Sequence, residues 1–204
     1  MFGIQEIHRQ GKWLARWDLG RDRESVPPKI FADESFIQST SGHVYVIGLV
    51  SVEGEDMAGC ESLLRAAAGK RSRFHYSEAT RNERTDLISV VSGLTCSALA
   101  LVAVSSDGSG ERSRRRILAH CFGAMLGFVH GVEIVTFESR GKALDLRDKS
   151  LLQSLGRFAG SELPKVRHEG WRHQPMLWAA DVIAGSVSRA VASGNTPPFP
   201  ATWV

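Results

Sequence analysis

Lys29-Ile30-Phe31-Ala32-Asp33 and, a little further on, Val44-Tyr45-Val46-Ile47-Gly48-Leu49-Val50-Ser51-Val52 are the two stretches on which the fold turns. Both are rich in β-branched and aromatic residues, and Ser39-Thr40-Ser41-Gly42 between them is polar and glycine-bearing. Strands over Ile30–Asp33 and Val44–Val52 joined by a loose loop, a β-hairpin, are the expected result.

Downstream of the hairpin the hydrophobic period changes. Met57, Cys60, Leu63, Leu64 and Ala67 recur at three-to-four residue steps, which predicts a helix over Glu55–Ala68. A short Phe74-His75-Tyr76 segment leads to a second helix over Thr80–Val91. The apolar run Cys96–Ser105 reads as a buried strand, closed by a turn at Ser106-Asp107-Gly108-Ser109-Gly110. Glu111–Val129 is helical, Val132–Phe137 a short strand, Leu146–Phe158 a helix, Lys165–His168 an edge strand and Gln174–Val191 the last helix. A hairpin followed by alternating helices and strands predicts an α/β fold. Its mixed sheet would be antiparallel at the hairpin and parallel where helices form crossovers, with helices on both faces. Residues 1–28, polar and ending in Pro27-Pro28, are set apart as an N-terminal arm, 29–193 as the domain, and 194–204 as a Pro-rich tail.

A length of 204 residues suits one generous domain at roughly 150 residues per domain. With 43% hydrophobic and 23% charged residues, disordered, collagen-like and fibrous readings are excluded. The longest apolar stretches fall short of the roughly 20 residues of a membrane span, and the N-terminus has no signal-type apolar run. Cys60, Cys96 and Cys121 are an odd number, widely spaced in apolar patterns, which predicts buried free thiols and a reduced, cytoplasmic setting. The net charge of +3 permits a polyanionic partner without arguing for one. Arginines cluster at Arg71 and Arg73, at Arg112 and Arg114-Arg115-Arg116, and at Arg167 and Arg172. Guanidinium forks suit phosphate oxygens, although a charge run is more often a solvated helix face. No phosphate-cradling Gly-rich loop, dinucleotide fingerprint, nucleophile elbow or zinc motif is present.

Four acids stand in apolar surroundings. Asp33 ends its strand and Glu34 follows it, Glu138 caps Ile134-Val135-Thr136-Phe137, and Asp181 interrupts Trp178-Ala179-Ala180-Asp181-Val182-Ile183-Ala184-Gly185. A lone buried carboxylate would cost several kcal/mol or take up a proton, so each calls for a cation. On its helix Asp181 shares a face with Gln174, Trp178, Gly185 and Ser188, while Leu177, Ala180, Ala184, Val187 and Val191 supply the packing. Gly185 would allow close approach to a sheet edge or a substrate. The competing reading is an N-terminal helix aspartate paired with Arg172 or another arginine.

Phe31-Ala32-Asp33-Glu34-Ser35 before Tyr45-Val46-Ile47-Gly48-Leu49-Val50, Phe74-His75-Tyr76-Ser77-Glu78 before a helix, a strand ending in Glu138, and Leu177 through Gly185 late in the chain occur in that order. Together they resemble the domain-of-unknown-function 3800 family of ribonuclease-H-like proteins, over about Ile30–Val191. Phe36 stands where that family often has glycine. The resemblance implies a first strand with an acid at its centre, a second acid ending the fourth strand and a third on the last helix, the places of Asp33, Glu138 and Asp181. Glu34 is a further metal ligand on this reading, and Glu78 a further acid of the site.

Converging carboxylates are hard oxygen ligands of the kind Mg²⁺ or Mn²⁺ accepts, and such ions promote phosphodiester hydrolysis. The expectation is therefore a metal-dependent nuclease acting on DNA or RNA. The alternative is a non-catalytic nucleic-acid- or protein-binding module on the same fold. His75 is assigned as proton carrier or substrate contact, against a packed structural role. Ser35, Arg73 and Arg140 are assigned to substrate, with an ion pair to one of these site acids as the other reading of Arg140. His168 and His173 are expected at the surface. The apolar helices are compatible with a homodimer.

Overall fold

The computed structural model describes residues 28–39, 42–106, 110–126, 132–159 and 164–204. The arm assigned to residues 1–28 thus lies outside the described residues except for Pro28. So do the centres of the 39–42 and 106–110 turns and the end of the helix expected to reach Val129.

Among the described residues six strands, β1 (Lys29–Ser39), β2 (Gly42–Val52), β3 (Ser97–Ser105), β4 (Ile134–Glu138), β5 (Lys165–Glu169) and β6 (Ala201–Trp203), form one sheet in the order β5-β4-β1-β2-β3-β6. β1, β2 and β3 are antiparallel, while β4 runs parallel to β1, β5 to β4, and β6 to β3. The helices are α1 (Met57–Ala68), α2 (Arg81–Ser92), α3 (Glu111–Leu126), α4 (Lys142–Ala159) and α5 (Met176–Ala192). Thr80 starts α2 with a capping box: the Glu83 N–H donates to its hydroxyl at 3.4 Å and its own N–H donates to the Glu83 carboxylate at 2.7 Å.

Strand alternation sorts the side chains into two cores. Phe31, Val44, Val46, Val50, Ala100 and Val102 meet α1, α2 and α5 on one face, and Ile30, Ala32, Tyr45, Ile47, Leu49, Leu99 and Leu101 meet α3 and α4 on the other. The mixed sheet with helices on both faces is as expected, as are three free, buried cysteines. No helix among the described residues is long and apolar enough to cross a membrane.

Three expectations are corrected. β1 does not end at Asp33 but continues to Ser39 at full register with β2, which puts Asp33 mid-strand opposite Gly48. The segment after residue 193 is not all a tail, because Phe199 is buried and residues 201–203 extend the sheet along β3. Nor is the packing of α5 confined to the face opposite Asp181. The helix is wedged between the sheet and the other two helices of its layer, with Trp178 and Ser188 as buried as Ala180 and Ala184.

Two glycines permit that wedge. A Cβ at Gly48 would lie 2.4 Å from the Ala180 carbonyl oxygen and 2.6 Å from the Ala184 nitrogen, so α5 rests directly on the β2 backbone. Gly185 admits the ring of Tyr76, whose Cδ1 would stand 2.5 Å from an added Cβ, and so serves packing rather than approach to a sheet edge.

Candidate active site

The fold carries acids to the carboxyl ends of β1 and β4, where the chain leaves the sheet. Asp33 and Glu138 lie next to each other because Ala32 pairs with Phe137 one step earlier, and both point to the face covered by α5. Asp181 reaches the same place from α5. These three, with His75, Phe137, Ser139, Arg140 and the Glu34 position, line one open cleft. An acid from the first strand thus meets two that lie more than a hundred residues further along the sequence.

Their partners differ. Asp181 accepts the Tyr76 N–H at 2.7 Å and stands 3.3 Å from His75 Nδ1, which ties the 73–76 segment to α5. Among the described residues it pairs with these rather than with Arg172 or another arginine. Glu138 has Arg73 Nη1 at 3.7 Å. Asp33 accepts the N–H of Glu34 at 2.8 Å and has no cation paired with it among the described residues. Burial, then the charges of Asp181 and Glu138, push the Asp33 carboxyl well above the usual carboxylate range. Glu138 is pushed up by burial and by Asp181, against the pull of Arg73 and His75. The hydrogen bond to Asp181 is the largest influence on His75 and raises it.

The other assigned residues divide. Ser35 faces α5, its hydroxyl 2.7 Å from that of Ser188, and is held within the packing. Arg73 and Arg140 both reach the rim. Arg140 lines the cleft but sits 3.3 Å from Glu111, and its N–H donates to Asp145 at 2.9 Å, so its ion pair is made with α3 and not with one of the cleft acids. Glu78 is exposed, 3.8 Å from Arg73 and 3.9 Å from His75 Nε2, outside the acid cluster.

Glu34 is a correction. Neighbours on a strand face opposite ways, so with Asp33 in the cleft the Glu34 carboxylate lies on the α3 face. There Arg114 grips it through both oxygens and the Tyr45 hydroxyl donates to it. Arg114 also donates to both oxygens of Asp148, at 3.1 and 2.8 Å, and to Glu111 at 3.0 Å. Glu34 is committed to this network and is not disposed as a ligand in the cleft.

Arg114, which the reading of its arginine run left on a solvated face, is only 8% exposed. Its signal was its spacing, three, four and seven residues before Ile117, Leu118 and Cys121, the buried face of α3. His168 was likewise expected at the surface but stacks on Phe137 with ring centres 6.0 Å apart, and burial lowers its pKa.

Among the described residues no three Asp, Glu, His or Cys side chains are arranged as a ready metal-coordinating group. The chemistry of the donors nevertheless suits a hard divalent cation: all are carboxylates, the charge of Asp181 raises the proton affinity of both Asp33 and Glu138, and Asp33 has no cation paired with it among the described residues. No family model matches the chain, and no curated protein matches it.

Proposed function

We propose that this chain is a divalent-metal-dependent nuclease of the ribonuclease-H-like kind, hydrolysing phosphodiester bonds of DNA or RNA in the cleft of Asp33, Glu138 and Asp181. The observation that carries the reading is the convergence of these acids from β1, β4 and α5 on one open cleft, with Asp33 lacking a paired cation among the described residues. A structural role would pair buried acids with bases, as happens to Glu34 on the opposite face.

Asp33, Glu138 and Asp181 would hold Mg²⁺ or Mn²⁺. When bound, such an ion supplies an activated water and stabilises the leaving oxygen of a phosphodiester. The chain's own residues provide the surroundings. The floor of β1 keeps Asp33 in place through its register with β2 and β4. His75, with Nδ1 against Asp181, has Nε2 on the side of Ser77 and Glu78, where it can take up or release a proton. Arg73 balances the charge of Glu138 and is placed to meet a substrate phosphate.

The second reading, a binding module without catalysis, is favoured by one observation: Arg73 and His75 already offset Glu138 and Asp181. One assay separates them. Labelled single- and double-stranded DNA and RNA are incubated with Mg²⁺ or Mn²⁺, and the intact protein is compared with Asp33→Asn. The nuclease reading expects metal-dependent cleavage that Asp33→Asn abolishes. Binding without cleavage of any substrate, unchanged in the variant, would leave only the binding module.

A further inference from the structure

Beside the acid cleft stands a feature the cluster of acids does not use. β5 ends at Glu169, which pairs in register with Glu138, and the Ser139 N–H donates to the Glu169 carbonyl at 2.9 Å. The chain then makes a tight turn, the His173 N–H donating to the Gly170 carbonyl at 3.0 Å, with Trp171 and Arg172 at its two corners. The Arg73 guanidinium lies 4.5 Å from the centre of the Trp171 ring and that of Arg172 5.0 Å from it. Arg73 also lies 3.7 Å from Glu138, so it spans from the acids to the indole.

The platform is held firmly. The Trp171 carbonyl accepts the Trp178 indole N–H at 2.9 Å, and Trp178 packs edge-on against Phe74, ring centres 5.7 Å apart. Both the turn and the 73–76 segment are thereby attached to α5, the helix that carries Asp181. The indole is partly buried against the core and carries both guanidiniums over its ring; Arg172 is exposed and can swing aside, so a base can stack on the indole in its place or on a guanidinium plane, next to positive charge. Unpaired nucleobases stack on such surfaces while their phosphates meet the guanidiniums. In a duplex the faces of the bases are already covered, so a duplex could use only the charge.

We propose that Arg73, Trp171 and Arg172 form a binding site for single-stranded nucleic acid, taking one unpaired nucleotide next to the acid cleft. This deepens the nuclease reading by naming its substrate class, and it rests on that reading for its biological use. The site itself needs no metal, which allows the two to be tested apart.

The test is fluorescence anisotropy with the full chain in EDTA, titrating a fluorescein-labelled oligothymidylate and, separately, a duplex of equal length. Trp171→Ala is expected to weaken single-strand binding about tenfold, the scale of one lost base stack, and to leave duplex binding unchanged. Arg172→Ala is expected to reduce the slope of log affinity against log salt by about 0.7, one phosphate contact on a single strand. Trp171→Phe keeps an aromatic face and is expected to retain most of the affinity, which separates a lost stack from a disturbed fold.

Absence of measurable single-strand binding by the parent protein, indifference to Trp171→Ala, or an equal loss for duplex and single strand would each overturn the proposal. Cleavage without Trp171-dependent binding removes this inference alone. Trp171-dependent binding without cleavage removes the nuclease reading alone.

Discussion

Gly48→Ala is the sharpest test of how the cleft is built. Gly48 lies opposite Asp33 in the β1–β2 register, and the added Cβ would meet backbone on two sides, the Ala180 oxygen at 2.4 Å and the Ala184 nitrogen at 2.6 Å. Real Cβ atoms essentially never come within 3.0 Å of such neighbours. Neither atom belongs to a side chain that could rotate aside, so α5 would have to lift. That helix is buried on nearly every side, and α1 and α2 press on it from beyond. Overpacking costs about 1–3 kcal/mol, occasionally more, and with no flexible neighbour the upper end, about 3 kcal/mol, is expected. For a chain of this size each kcal/mol lowers the melting temperature by about 2–4 °C, so a fall of about 6–12 °C should be seen. Urea denaturation is the companion assay, with the midpoint lowered and the slope unchanged. Lifting α5 also draws Asp181 away from Asp33, so on the proposed nuclease reading cleavage should fall with stability. Ala184→Gly should not rescue the variant, because the closest clashes are with backbone. Gly59→Ala in α1, where an added Cβ has nothing within 4 Å among the described residues, should instead stabilise by about 0.5 kcal/mol. A Gly48→Ala protein within about 0.5 kcal/mol of the parent would refute the close seating of α5 on β2.

Three further perturbations follow from the charges. Asp33 has a raised carboxyl, so it adds no penalty in acid below the ordinary carboxylate range and a growing one as pH rises through its folded value; Asp33→Asn should melt higher than the parent at neutral pH and lose that advantage in acid. A lower melting temperature at neutral pH would sink this account. His75 has a raised pKa through Asp181, so the stability from that pair is complete below the ordinary histidine range and is lost as pH rises through the folded value; His75→Ala should flatten the melting temperature across this interval, and an unchanged profile would contradict the pairing. Arg114→Met leaves Asp148 and Glu34 facing one another where Arg114 had bonded both and should cost about 3–5 kcal/mol in urea denaturation. Arg114→Met with Asp148→Leu should recover part of that loss, and equal stabilities for single and double variants would contradict the network.

The order of helices and strands was legible because hydrophobic period reports which face of each element is buried, and that information is local. What escaped was decided by partners far away in sequence. Glu34, Ser35 and Gln38 make the second half of β1 look like a loop. The strand persists because Arg114, 80 residues on, neutralises Glu34, and Ser188, 153 residues on, takes the Ser35 hydroxyl. Pro197-Pro198 and Pro200 likewise mark a tail in any local window, yet Phe199 is buried and the last residues pair with β3. Asp33, Glu34, Glu138 and Asp181 were conspicuous because an acid in apolar surroundings stands out wherever it lies, and only the resemblance set Asp33, Glu138 and Asp181 apart from Glu34. Trp171 was not, since an indole in a polar turn carries no signal until Arg73 is seen beside it.

The two faces of β1 supply the comparison that ranks the acids. Asp33 and Glu34 are adjacent, and each opens on a cluster of three carboxylates. On the α3 face Glu34, Asp148 and Glu111 surround Arg114, with Arg140 beyond. Attraction to these acids keeps the Arg114 guanidinium charged despite its desolvation, and the cluster clamps α3 and α4 to the sheet. On the α5 face the cations paired with Glu138 and Asp181 among the described residues are Arg73 and His75, both at the margin, and Asp33 between the two acids is left with its proton affinity raised. Folding alone gives no reason to build the second cluster, since acids removed from water without a partner cost stability. A domain that compensates its acids so fully on one side of a strand and not on the other has its unspent charge where a cation and a phosphate would use it.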